Sequence, residues 1–216
     1  MMNRKQLAVA ASMYAVFAAV TAWVLRVGED FPLNAYILYA VIDHRLAVLN
    51  PFLSLISSDD YGRAFFWIPV ALALWFTRYR RTSDSMIAAF ALSLILGEAL
   101  KHLMYLPRPF TVLHVSTLIS TAPDSSYPSG HALIVSTGAL AAASLPWYLS
   151  IPLAAEAIMV SYGRIYVGVH WPLDVVMGWV LGAADVALIN AFPQLPRAVD
   201  AVLQAVLGGL RRRGGE

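Results

Sequence analysis

Three short stretches of the 216-residue chain hold the residue types that do chemistry. The first reads Lys101-His-Leu-Met-Tyr-Leu-Pro-Arg108-Pro109, and the second Tyr127-Pro128-Ser129-Gly130-His131. The third reads Gly163-Arg164-Ile-Tyr-Val-Gly-Val-His170-Trp-Pro-Leu-Asp174. Lys101, Arg108 and Arg164 are permanent cations without matching carboxylates, which predicts an anionic ligand. Arginine presents a rigid fork of donors suited to phosphate, and lysine adds a point charge. Pro-Ser-Gly-His ahead of an apolar run adds the free N–H groups of a helix N-terminus. Gly130 lets the anion come close there, and Ser129 both caps the helix and offers its hydroxyl. Pro172 opens a further helix at its first position, with His170 just ahead of it and Asp174 just inside. Asp174 can then accept Nδ1–H of His170 and leave Nε2 to attack, while His131 protonates the leaving oxygen. Nucleophile, acid and charge clamp together describe phosphoester hydrolysis through a phosphohistidine.

Lys-x6-Arg-Pro, Pro-Ser-Gly-His and Arg-x5-His-x3-Asp, in this order, resemble the type-2 phosphatidic acid phosphatase (lipid phosphate phosphatase) superfamily. That family includes polyprenyl diphosphate, phosphatidylglycerophosphate and lipid A phosphatases, and vanadium haloperoxidases share its phosphate pocket. The resemblance spans residues 101–174 by motif. It implies phosphate binding by Lys101, Arg108 and Arg164 with help from Ser129 and Gly130. It also implies His131 as general acid, His170 as nucleophile, Asp174 as its orienter, and catalysis without a metal or other cofactor. The third family motif usually begins Ser-Arg. Gly163-Arg164 stands here instead, so one hydroxyl contact to phosphate is missing from the motif.

These residues need a scaffold, and composition says which kind. Hydrophobic residues make up 59% of the chain and charged ones 13%, with mean hydropathy +0.65. A soluble monomer of this size cannot hide so much apolar surface. This excludes a nucleic-acid-binding or disordered protein despite a pI near 9.0. Cysteine is absent, which excludes thiolate chemistry and disulfides.

Apolar runs long enough to cross a bilayer predict spans over about Leu7–Leu25, Tyr61–Tyr79, Asp84–Met104, 129–145, Ser150–Val167 and Pro172–Phe192. The fold class expected is an all-α, six-helix membrane bundle forming a single unit over residues 1–216. The first run is too long for the core of a signal peptide. Asn34–Leu49 has apolar residues at helical spacing, but Asp43, His44 and Arg45 predict an interfacial helix that ends before Pro51. On the outer face, such a helix walls the lateral access of a lipid. Pro196–Leu210 is an amphipathic tail whose following Arg cluster rests on anionic membrane lipids.

Nine cations (Arg4, Lys5, Arg78, Arg80, Arg81, Arg197 and Arg211–Arg213) gather at one face and six at the other. The excess predicts cytoplasmic N- and C-termini. All three motifs then face outside the cell, in the plasma membrane. Glu98, Glu156 and Asp185 lie within predicted spans. Glu98 is spaced to pair with Lys101, and the other two are expected to hydrogen-bond between helices rather than form an ion path. His44, His102 and His114 are expected to be structural. The function expected is hydrolysis of a lipid phosphate, with polyprenyl diphosphate first and phosphatidate, phosphatidylglycerophosphate or lipid A phosphate as alternatives. A haloperoxidase is disfavoured because those enzymes are typically soluble. A transporter is disfavoured because polar residues do not run continuously across the predicted bilayer.

Overall fold

A computed structural model describes residues 2–58, 66–121 and 123–213, with side chains through residue 206. Helices α1 (Arg4–Val27), α2 (Pro32–Asp43), α3 (Asn50–Ile56), α4 (Phe66–Trp75) and α5 (Arg80–Leu103) form the first half. The single turn α6 (Pro109–Val112) precedes α7 (Gly130–Ala141), α8 (Trp147–Tyr166), α9 (Pro172–Ala191) and α10 (Gln194–Arg213). There is no strand among the described residues. By length and composition α1, α5 and α9 can each cross a membrane, while α4 and α7 are shorter apolar helices. The protein is a multi-pass membrane protein.

Local chemistry explains most boundaries. The Asn3 side chain accepts from the N–H groups of Lys5 and Gln6 and starts α1, and Pro172 sits in the first turn of α9. The predicted helix over Asn34–Leu49 is corrected. It stops at Asp43, and a 3₁₀ turn over Ala47–Leu49 leads into α3, where Pro51 occupies the first turn. Proline at a helix start loses no hydrogen bond, so Pro51 opens a helix here and does not merely follow one. The first five residues of the predicted second span, 61–65, lie outside the described residues, as does the snorkelling expected of Arg63.

Helix α7 lies at the centre, with every residue buried except Gly130 and Leu140. It packs on α5, α8 and α9. Glycines on α9 permit a close approach. A Cβ at Gly178 would lie 2.9 Å from Leu133 N, and one at Gly182 would lie 3.0 Å from Thr137 Oγ1. Asp185 joins four helices: Tyr14 OH on α1 donates to it at 2.6 Å, Ser93 Oγ on α5 at 2.6 Å, and Ser93 in turn meets Thr137 of α7 at 2.9 Å. The interhelical role expected of Asp185 is therefore present. Glu156 of α8 lies against Trp67 of α4.

The helices alternate in direction. Asn3 N donates to Ala191 O at 2.9 Å, so the start of α1 meets the end of α9. Arg80 at the start of α5 pairs with Asp200 of α10 at that same end. The opposite end gathers the C-termini of α1, α5 and α8, the N-termini of α7 and α9, and α2 and α3 beside them. All three motifs sit there.

Candidate active site

Each motif residue is delivered by a helix end. Pro172 opens α9, and its first turn carries Asp174, whose Oδ2 accepts from the N–H of Trp171 at 2.8 Å and from Ser126 Oγ. His170 Nδ1 lies 3.0 Å from the same oxygen. Ser129 Oγ accepts from Ala132 N and caps α7, while Ser129 N donates to Asp174 O at 3.1 Å. The second motif is thereby pinned to the third. Trp171 Nε1 donates to Pro107 O at 3.0 Å and ties in the first.

The histidine tautomer follows from its neighbours. Arg108 Nη1 lies 3.2 Å from His170 Nε2, and guanidinium only donates, so Nε2 accepts and Nδ1 carries the proton to Asp174. The lone pair thus points toward the cations. His170 is 1% exposed, and burial first, then Arg108, Arg164, Lys101 and His131, holds its pKa well below 6.5. A neutral imidazole with an oriented Nδ1–H has the free Nε2 lone pair that a nucleophile requires. Arg108 also donates to Val169 O at 2.8 Å and is buried.

Arg164 and His131 are both buried. Arg164 Nη1 donates to Ser57 O, and His131 Nε2 meets Ser58 O at 3.2 Å, so the end of α3 sits between them. Lys101, Arg108, His131, Arg164, His170 and Asp174 therefore share one end of the bundle, together with Ser129 and Gly130. A cavity of about 250 Å³ adjoins Lys101 and is lined by Glu98, His102, Tyr105, Asp124 and Ser125.

One expectation needs correction. The cations do have a matching carboxylate: Arg108 Nη2 and Nε contact Asp124 Oδ1 at 2.7 and 2.9 Å, and Lys101 Nζ lies 3.5 Å from Oδ2. Asp124 belongs to the polar loop just before the second motif, and only its closeness to that motif marks it in the sequence. The hydroxyl absent from the motif at Gly163 has a neighbour in the fold. A Cβ there would collide with Ser57 Oγ, which is fully buried, so the serine that ends α3 fills the place a side chain at 163 would take. Arg45, one of the charges that predicted an interfacial helix, is a staple. It donates to Tyr166 O at 2.7 Å and to Ser116 O at 3.0 Å, joining the α2–α3 segment to the end of α8 and the polar loop. His44 bonds Ala40 O at 2.9 Å, the structural role expected of it.

Known proteins resemble this chain in sequence and in fold. An undecaprenyl-diphosphatase of Sulfolobus acidocaldarius is 42% identical over 161 residues, covering 72% of this chain and 76% of that one. The crystal structure of Aquifex aeolicus LpxE superposes with a TM-score of 0.68 at 28% identity, over 74% of this chain and 96% of that one. A transmembrane PAP2-type phosphatidylglycerolphosphate phosphatase from Bacillus subtilis shares the fold, with a TM-score of 0.66 at 22% identity over 86% of this chain and 96% of its own. The sequence profile of the PAP2 superfamily matches residues 85–197, a range that contains all three motifs and Asp124. On that match and the Sulfolobus relative, this chain is a phosphatase and belongs to the PAP2 superfamily.

Proposed function

We propose that the chain hydrolyses a polyprenyl diphosphate to the monophosphate and inorganic phosphate at the outer face of the plasma membrane. The observation that carries this reading is the buried His170, its Nδ1 on Asp174 and its Nε2 facing Arg108. Nε2 attacks the terminal phosphorus and forms a P–N bond as the bridging P–O bond breaks. His131 gives its proton to the departing lipid monophosphate. Water then attacks the phosphohistidine, His131 takes up a proton, and phosphate leaves. Lys101, Arg108 and Arg164 balance the charge on the phosphoryl oxygens, with the N-terminus of α7 and Ser129 beside them. The name of the Sulfolobus relative favours the prenyl substrate among lipid phosphates.

The geometry of the ends supports six crossings, by α1, α4, α5, α7, α8 and α9, within one domain. The cation excess at the end opposite the site supports cytoplasmic termini.

Phosphate release from a panel of lipid phosphates in detergent, with chelator present, tests the reading. Polyprenyl diphosphate is expected to be turned over fastest. His170→Ala is expected to lower kcat by about 10³-fold or more. No release from any lipid phosphate, or full activity in His170→Ala, would overturn it.

A further inference from the structure

Glu29 lies two residues beyond α1, in the turn made by Gly28, whose φ of 81° suits a residue without a Cβ. A carboxylate after a membrane helix would ordinarily reach for water, yet Glu29 is 2% exposed. Asn34 fixes the turn from α2. Its Nδ2 donates to Glu29 O at 2.7 Å and its Oδ1 accepts from Leu173 N at 3.0 Å, so one side chain clasps the Glu29 backbone to the first turn of α9.

The Glu29 carboxyl faces that of Asp174, near enough for a hydrogen bond when one of the two keeps a proton. Asp174 Oδ2 is already committed to Trp171 N, Ser126 and His170. Oδ1 is the oxygen left for Glu29. If both groups were ionised, Oδ1, Oε1 and Oε2 would be buried acceptors facing one another without a donor. Two carboxyl groups can touch in a dry site only with a proton between them.

We propose that Glu29 is a positioning residue: as a neutral acid it donates a hydrogen bond to Asp174 Oδ1 and so sets both the plane and the basicity of the carboxylate that holds His170. Burial first, then the charge of Asp174, pushes the Glu29 pKa up to about 12, so it keeps its proton across the working range. Asp174 thereby stays a singly charged acceptor whose second oxygen is engaged, as outer partners commonly arrange for a group that orients a histidine.

The inference rests on His170 as nucleophile, and Glu29 then helps to set the pH at which that nucleophile is lost. The groups facing Glu29 are Asp174 from α9 and Tyr127 from the loop before α7, whose phenol bonds Thr21 Oγ1 at 2.8 Å. Those facing His170 are Asp174 from its own side, Arg108, Lys101 from α5, Arg164 from α8 and His131 from α7. Removing the Glu29 donor leaves Asp174 more basic, which favours imidazolium at His170. The acidic limb of kcat/KM, which reports loss of the neutral nucleophile, then moves to higher pH.

The test is the pH profile of the purified protein on polyprenyl diphosphate, for wild type, Glu29→Gln and Glu29→Ala, with His170→Ala alongside. Gln keeps a donor and the net charge of the pair. It is expected to hold kcat within about threefold and leave the limb in place. Ala is expected to lower kcat by about 10- to 100-fold with KM nearly unchanged, and to raise the limb by about half a pH unit or more. If Ala does not fold, Gln alone decides: a large loss of kcat, or a shifted limb, overturns the proposal. So does a wild-type profile in a folded Ala variant. A fully active His170→Ala instead overturns the assignment of the nucleophile, a result distinct from either.

Discussion

Asp124 pairs with two cations that the proposed function assigns to an arriving phosphoryl group. Its carboxylate spans Arg108 and Lys101, the two cations of the first motif. On the proposed function, a phosphoryl group binding them must displace it, and substrate then competes with an internal ligand. Burial works to raise the Asp124 pKa, but Arg108 and Lys101 outweigh it and hold the carboxyl below the ordinary range. A depressed carboxyl pairs fully above its ordinary pKa and lets go only as pH falls through the lowered value. The competition is therefore constant between about pH 5 and 8. Asp124→Asn keeps the shape and removes the charge. Orthovanadate should then inhibit at concentrations about three- to tenfold lower, and an unchanged inhibition curve would place Asp124 outside the competition. Gly163 offers a second test. Gly163→Ser alone drives a side chain into Ser57 Oγ and is expected to lower the melting temperature and activity, whereas Gly163→Ser with Ser57→Gly restores both.

Among elements, the contact of α7 with α9 sets how far the second and third motifs stand apart. A Cβ at Gly182 would meet Thr137 Oγ1 at 3.0 Å and Leu133 O at 3.2 Å, one of them backbone that cannot swing away. Gly182→Ala is expected to cost about 1–3 kcal/mol, read as a lower melting temperature in detergent. Helix starts were legible in the sequence wherever proline or a capping side chain punctuates it, as at Pro172 and Ser129. The order of the motifs was enough to bring Lys101, His131 and Asp174 to one end, because helix polarity alternates. Residues that reach the site from loops were not legible. Glu29, Ser57 and Asp124 have no periodicity to betray them, and their contacts lie between 16 and 145 residues away in the chain. Each acts through a neighbour that only the packed bundle supplies.

For the whole molecule, the testable quantity is which end faces out. Because the chain has no cysteine, single cysteines report sidedness without a background. Thr117, exposed at the end that holds the motifs, and Gln204, exposed on α10 at the other, serve as probes. In intact cells an impermeant maleimide is expected to label Thr117→Cys, and to reach Gln204→Cys only after permeabilisation. The reverse pattern would invert the topology and place the site on the cytoplasmic side.

The bond from Tyr14 to Asp185 joins residues 171 positions apart. During synthesis α1 enters the bilayer long before α9 exists, and α9 arrives carrying a carboxyl group that lipid disfavours. Tyr14 is one of the partners awaiting it. The docking of α9 on α1 that gives Asp185 this partner also brings Asp174 to Glu29, so the core and the candidate site are completed together.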